Sequence, residues 1–425
     1  MYDIEELARA GMLSALVYLD SLLVHKDAGD LHEVVKRMKK TDLENWPCKM
    51  SRSEWLKIME AVQRDRGLRN LRVINTVDEK GHRAVLFGKV NQSESKSHGY
   101  IIFRGTGSAE EWEDNALGML EPDTERQKMA AQFVRKNYHP SRSITVAGHS
   151  KGGNKAQYAA ITLPEEYIER CYSFDGQGFS VAFCEKYRQA IETRKPVINL
   201  VSERRGFVHA LGLMINETGY YTGWRGSPRD GLPHGDSLSY FHCPDSIMDI
   251  SGGLGVPSAH NIIPAIISQV VTHFLKNQEY IPFIESTALG LTSIISSTDK
   301  QEEKIAAAIA QLLMVFMNLV ATDEAFRNKF KEMILIETDV LLATMDASRA
   351  AYSENWTGEL TGLGKKSAQQ LALRLAADKE ARRQFIKAVR FIFSLRRKLP
   401  SGRHTKLYGY IAEMVRICHQ VLRNM

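Results

Sequence analysis

Roughly a third of the way along the chain stands Ile144-Thr145-Val146-Ala147-Gly148-His149-Ser150-Lys151-Gly152-Gly153-Asn154. The apolar run 144–147 reads as a short buried strand, and 154–161 (Asn154 to Ile161) has the composition of a helix. Between them lies Gly-x-Ser-x-Gly. A strand turning this sharply into a helix strains the serine backbone, and glycines two before and two after it let strand and helix pass close together. The serine Oγ then stands at the carboxyl end of the sheet. The helix N-terminus beside it favours the negative charge that develops in acyl transfer. With 30 glycines in 425 residues, the pentapeptide alone recurs by accident in roughly one such chain in five to ten. The flanking strand and helix therefore carry the inference that Ser150 is a nucleophile rather than an idle turn residue.

Outward from this turn the elements alternate. Upstream, an amphipathic helix is expected over 3–25 and further helices over 31–40 and 52–65, the last capped by Ser51 and Glu54. Strands are expected at 71–75 and 84–90, joined by a hairpin turn at Asp78-Glu79-Lys80-Gly81, and at 99–103 after a polar loop. A helix follows at 124–138. Downstream of the nucleophile come strands at 170–174 and 196–201 with a helix at 181–193 between them. Strands alternating with helices predict an α/β fold with a mostly parallel, buried sheet. Beyond about residue 285 the pattern is helical throughout (302–321, 323–346, 366–377, 379–397, 404–423). The expected organisation is an N-terminal helical segment, 1–70, packed on an α/β domain, 71–285, followed by an all-helical domain, 286–425.

Composition excludes several classes. At 44% hydrophobic and 25% charged, the chain is that of an ordinary globular protein. Five scattered cysteines without a Cys-x-x-Cys pair predict free thiols rather than a disulfide frame or zinc site. The first residues are acidic where a secretory signal is basic, and the most apolar stretch, 305–321, is interrupted by Gln311 and Asn318. A cytoplasmic location is expected, and export without a signal peptide fits equally. The elbow lacks the Gly-Lys-Ser/Thr ending of a phosphate-binding loop, so no nucleotide cofactor is expected, and the chemistry requires no metal.

A hydrolytic serine also needs a base, an orienting acid and an oxyanion hole. Ile102-Phe103-Arg104-Gly105-Thr106-Gly107 is a strand ending in a glycine-rich turn upstream of the nucleophile. Backbone amides there and at Lys151, with the Thr106 hydroxyl, are the candidate oxyanion donors. Tyr100-Ile101-Ile102-Phe103-Arg104-Gly105-Thr106, followed by Glu111-Trp112-Glu113-Asp114-Asn115, resembles the oxyanion segment of class 3 lipases. Gly148 to Asn154, with Lys151 after the serine, and Phe174-Asp175-Gly176-Gln177-Gly178-Phe179 resemble more narrowly the Mbeg-like branch of lipase-like α/β-hydrolases. The resemblance covers about residues 70–245 and implies the α/β-hydrolase fold, with the triad in the order serine, acid, histidine.

Of the histidines downstream of Ser150, His209, His234, His242 and His260 are the candidate bases. His234, in the polar loop Leu232-Pro233-His234-Gly235-Asp236-Ser237, matches the position that the resemblance implies and is the expected base. His242 is the alternative. His209, among Phe207, Val208, Ala210 and Leu211, reads as a core or helix histidine, and His149 as a packing residue. For the acid, Asp175 follows one strand and Glu203 the next. Asp175 lies in the resembling segment and is expected, with Glu203 the alternative.

The expectation is a serine esterase acting on lipid esters, as a lipase or phospholipase does. A peptidase, amidase or thioesterase would use the same triad. A silent hydrolase-like scaffold, recruiting a partner through its helical tail, is the reading from another class. Residues 382–406 carry nine basic and no acidic side chains, with Phe385, Val389, Ile392 and Phe393 on one helical face. Such a helix can lie on an anionic membrane surface or form a solvated face over a helical core. No nucleic-acid-binding pattern accompanies the charge.

Overall fold

The computed structural model describes residues 3–258 except 42–46, 90–96, 108–113, 116, 205, 207, 225–240 and 250. The described residues belong to the first of two units, Met1–Gln278 and Glu279–Met425. The helices expected beyond 285 and the basic segment 382–406 lie outside the described residues.

Four helices open the chain: α1 (Ile4–Leu16), α2 (Asp20–Val24), α3 (Leu31–Met38) and α4 (Arg52–Arg64). Then come β1 (Arg72–Glu79), β2 (His82–Gly88), β3 (Ser97–Phe103), α5 (Glu125–Asn137), β4 (Arg142–His149), α6 (Lys151–Thr162) and β5 (Arg170–Phe174). Helices α7 (Val181–Lys186) and α8 (Arg188–Arg194) lead to β6 (Ile198–Glu203), β7 (Thr218–Thr222) and β8 (Val256–Pro257). The strands form one sheet in sequence order, β1 to β8. Pairing is parallel from β3 through β7 and antiparallel at both margins.

Local chemistry explains several boundaries. Lys80 and Gly81 both have positive φ (49° and 74°), and Glu79 pairs with His82. This is the two-residue turn whose twist matches the flanking strands, so the hairpin extends further into charged sequence than alternation predicts. Helix α4 starts with a reciprocal cap, in which Ser51 Oγ accepts from the Glu54 amide (3.4 Å) and the Glu54 carboxylate accepts from the Ser51 amide. The helix expected over 3–25 is broken at Leu19, which is extended (φ −84°, ψ 122°). Arg83 stabilises the break: its guanidinium donates to Val17 O (3.2 Å) and to the carboxylates of Asp20 and Asp78, both at 2.6 Å. The helix expected over 181–193 likewise breaks at Tyr187, whose hydroxyl bonds Asp123 (2.7 Å).

Sequential strand order fixes where the helices go. Crossovers between parallel neighbours are right-handed, so successive crossovers in one direction place α5, α6 and the α7–α8 pair on the same face. There Leu86, Ile101, Phe103 and Val146 of the sheet pack with Phe133 of α5 and Ala159 of α6. The opposite face would be bare without the N-terminal helices. Val85, Phe87, Tyr100 and Ile102, alternating with the first set, bury against Leu13, Trp55 and other apolar residues of α1 and α4. Each such side chain is worth about 1.5–3 kcal/mol once buried. The segment 241–249 joins this second layer through Cys243, Ile247 and Met248. Helix α1 is also pinned by polar contacts: buried Glu6 accepts from Thr145 Oγ1 on β4 (2.6 Å) and pairs with Arg170 at the start of β5 (3.0 Å).

Candidate active site

Strand β4 and helix α6 meet at Ser150, whose backbone is in a region that side chains rarely adopt (φ 60°, ψ −129°). The close passage holds it there. A Cβ on Gly148 would lie 2.3 Å from the carbonyl carbon of Gly152, and one on Gly152 would lie 2.1 Å from Phe103 O. Neither position admits any residue but glycine. Lys151 is the first residue of α6, so its amide is among those a helix leaves without an intrahelical acceptor. The turn expected to supply oxyanion donors runs alongside the elbow: a Cβ on Gly105 would sit 2.7 Å from His149 O and 3.1 Å from Ser150 Cβ. At the next residue, Thr106 Oγ1 accepts a hydrogen bond from Asn115 Nδ2 (2.9 Å), which leaves its own O–H available as a donor.

The expected base, His234, lies outside the described residues. The ring that reaches Ser150 is that of His242, the alternative, with Nε2 3.0 Å from Ser150 Oγ. His242 Nδ1 lies 2.5 Å from Asp175 Oδ2. The expected acid is therefore the carboxylate that meets this histidine, while Glu203, the alternative, is fully buried at the end of β6. Asp175 directly follows β5 and also has positive φ (43°), aiming its side chain across the ends of the strands. Asp175 is 3% exposed and His242 20%. The acid is thus sealed off while the base has one side open.

Burial alone would raise the Asp175 carboxyl pKa. The charge of His242 and hydrogen bonds from His209 and His242 outweigh it and hold the group well below the usual carboxylate range. The His149 ring lies against that of His242, centroids 4.6 Å apart. Burial, reinforced by the charge of His242, drives the His149 pKa well below its ordinary value. His149 is therefore neutral and does not repel an imidazolium beside it. Tyr18, at the break between α1 and α2, holds it through a 2.9 Å hydrogen bond to Nδ1.

Two contributors are not evident from the motifs. Lys151 points its side chain inward, fully buried, where Nζ pairs with Asp114 Oδ2 (2.8 Å) and donates to Asp114 O (3.1 Å). Asp114 accepts as well from Thr124 Oγ1 (2.8 Å) and the Arg126 amide (3.2 Å). Burial would raise the Asp114 pKa, but the Lys151 ammonium and these hydrogen bonds lower it. The pair ties the elbow helix to the segment that holds Asn115 and, through it, Thr106. The second contributor is His209, expected in the core. It is buried, in the short 3-10 helix Val208–Ala210, and it also sits on Asp175 Oδ1.

Among the described residues no cluster of His, Cys, Asp and Glu could hold a metal, and no helix is long and apolar enough to cross a membrane.

Residues 60–203 match the family model described as Mbeg1-like. The match runs from α4 to the end of β6 and so contains the oxyanion turn, Ser150 and Asp175; His242 and helices α1 to α3 lie outside it. No curated protein matches the chain. The match thus includes the elbow and the Phe174-Asp175-Gly176-Gln177-Gly178-Phe179 segment, on which the resemblance to an Mbeg-like family rests.

Proposed function

We propose that this chain is a serine hydrolase that cleaves carboxylic esters through Ser150, His242 and Asp175 by way of an acyl-enzyme. The observation that carries the reading is the unbroken hydrogen-bonded line Ser150 Oγ, His242 Nε2, His242 Nδ1, Asp175 Oδ2 on a strained elbow. Ser150 Oγ attacks the ester carbonyl as its proton passes to His242 Nε2. Asp175 accepts from Nδ1–H, fixing the tautomer and stabilising the imidazolium. The tetrahedral oxygen takes hydrogen bonds from the Lys151 amide and from Thr106, each worth about 3 kcal/mol in such sites. Collapse expels the alcohol, which leaves with the proton from His242. Water then repeats the sequence on the acyl-enzyme and releases the acid. Lipid esters are the proposed substrate class, on the likeness of the oxyanion segment to that of lipases.

The base is assigned to His242 rather than His234 because its ring occupies the hydrogen-bonding position beside Ser150 Oγ. Hydrolysis of p-nitrophenyl butyrate tests this. His242→Ala is expected to lower kcat by about 10³-fold or more with the fold intact, and His234→Ala by less than about threefold. The reverse pattern would return the base to His234.

A further inference from the structure

His209 is a buried histidine that the mechanism above does not use. We propose that His209 is a positioning residue for the reaction: it grips Asp175 by Oδ1 so that Oδ2 is presented to His242, and Tyr220 sets its tautomer. The inference rests on the triad reading and adds a second imidazole behind the acid.

The geometry is specific on both sides of the ring. Asp175 Oδ1 accepts from the His209 backbone amide (3.0 Å) and lies 2.5 Å from its Nδ1. Two donors from one residue fix the carboxylate in position and in rotation. That matters because Asp175 stands on a strained backbone (φ 43°), a conformation that persists only where its surroundings hold it. An ionised carboxylate only accepts, so His209 Nδ1 carries the proton. In the neutral ring Nε2 is then an acceptor, and Tyr220 OH, which also meets the Thr218 side chain, stands 3.0 Å away to donate. Burial, chiefly, raises the Tyr220 pKa, so the phenol keeps its proton. The line from Ser150 through His242, Asp175 and His209 to Tyr220 on β7 is thus continuous.

Other titratable groups surround it. His149 on β4 faces His242, Glu203 ends the neighbouring β6, and Asp245 is buried in the segment that carries His242. His149 is neutral, as above. His209 is the group that shares the Asp175 charge with His242. A carboxylate already saturated on one oxygen stabilises the imidazolium of His242 less than one held by His242 alone.

The test uses the full chain, p-nitrophenyl butyrate, and kcat, KM and pH profiles for wild type, His209→Leu, His209→Asn and Tyr220→Phe. In His209→Leu, kcat is expected to fall about 10- to 100-fold with KM nearly unchanged. The acid limb of kcat/KM should move to higher pH. His209→Asn places an amide N–H near the position of Nδ1 and should recover most of the rate and the wild-type acid limb. Tyr220→Phe should move the acid limb in the same direction by less. A folded His209→Leu with wild-type kcat and acid limb overturns the proposal. So does a His209→Asn that is no better than His209→Leu. Should His209→Leu not fold, an unchanged acid limb in Tyr220→Phe overturns it. Failure of the triad reading looks different: wild type would show neither turnover nor labelling of Ser150 by a fluorophosphonate, and both proposals would fall together.

Discussion

In the proposed reaction Thr106 is a single side chain prepared for a charge that exists only in the transition state. Its oxygen is occupied by Asn115 Nδ2 at 2.9 Å, so the hydroxyl hydrogen is left for the oxyanion. Thr106→Val keeps the shape and removes the donor. We expect kcat to fall about 10²-fold with little change in KM, read from steady-state ester hydrolysis. Equal loss in kcat/KM and kcat would mark the interaction as one made only in the transition state. Ser150, Thr106 and Asp175 could be singled out in the sequence as candidates because each lies in a short contiguous segment whose glycines declare the backbone it needs. The choice between His234 and His242 could not be made there, because it depends on which ring the fold brings to Ser150 Oγ. His234 stands in a Gly- and Pro-rich stretch of sequence that reads as a site. His242 instead sits between Phe241 and Cys243, both buried. A polar residue flanked by two anchors is held firmly, and that was the available signal. His209 was read as core for the same apolar flanks; it is buried, but its partner, Asp175, lies 34 residues away in sequence.

At the scale of elements, the strained elbow is held by the close passage of β4 and α6 and by the buried pair between Lys151 and Asp114. Lys151→Met would leave the Asp114 carboxylate buried without its cation. Breaking such a pair costs about 3–5 kcal/mol, and urea denaturation of the variant measures it. The double variant Lys151→Met, Asp114→Asn should recover part of that loss, since the cost is the stranded charge rather than the missing contact. No recovery would show that Asp114 is not the group destabilised. Strand and helix positions were legible where local chemistry dominates: the cap at Ser51, the Lys80–Gly81 hairpin and the nucleophile strand. The breaks at Leu19 and Tyr187 were not, because distant side chains, Arg83 and Asp123, make them favourable. Strand β7 was missed as well. Thr218-Gly219-Tyr220-Tyr221-Thr222 is short and half polar, and it pairs with β6 and β8 only once the sheet exists.

For the described domain as a whole, an in-order sheet sends its crossover helices to one face and leaves the other to α1–α4 and 241–249. The second layer therefore serves two ends at once: it closes the core and delivers Tyr18 and His242 to the site. This interior contains histidines that resist protonation. Burial, helped by the charges of Lys155, Arg126 and Arg104, lowers the His82 pKa from 6.5 to about 3. A folded value below the unfolded one gives stability that is present above about pH 6.5 and is lost as pH falls toward 3; His149 acts in the same direction. For His82 alone, lowering the pH to about 5 should cost ~2 kcal/mol. Urea unfolding between those two pH values measures the drop, and His82→Leu should flatten the pH dependence by about one proton. An unchanged slope would contradict a neutral buried His82. The central claim, that Ser150 is an activated nucleophile, is tested most directly by fluorophosphonate labelling of wild type beside Ser150→Ala, read by intact mass. The account predicts one adduct on the wild type, absent from the variant. A folded wild type that takes no adduct, or a variant that still takes one, would contradict it.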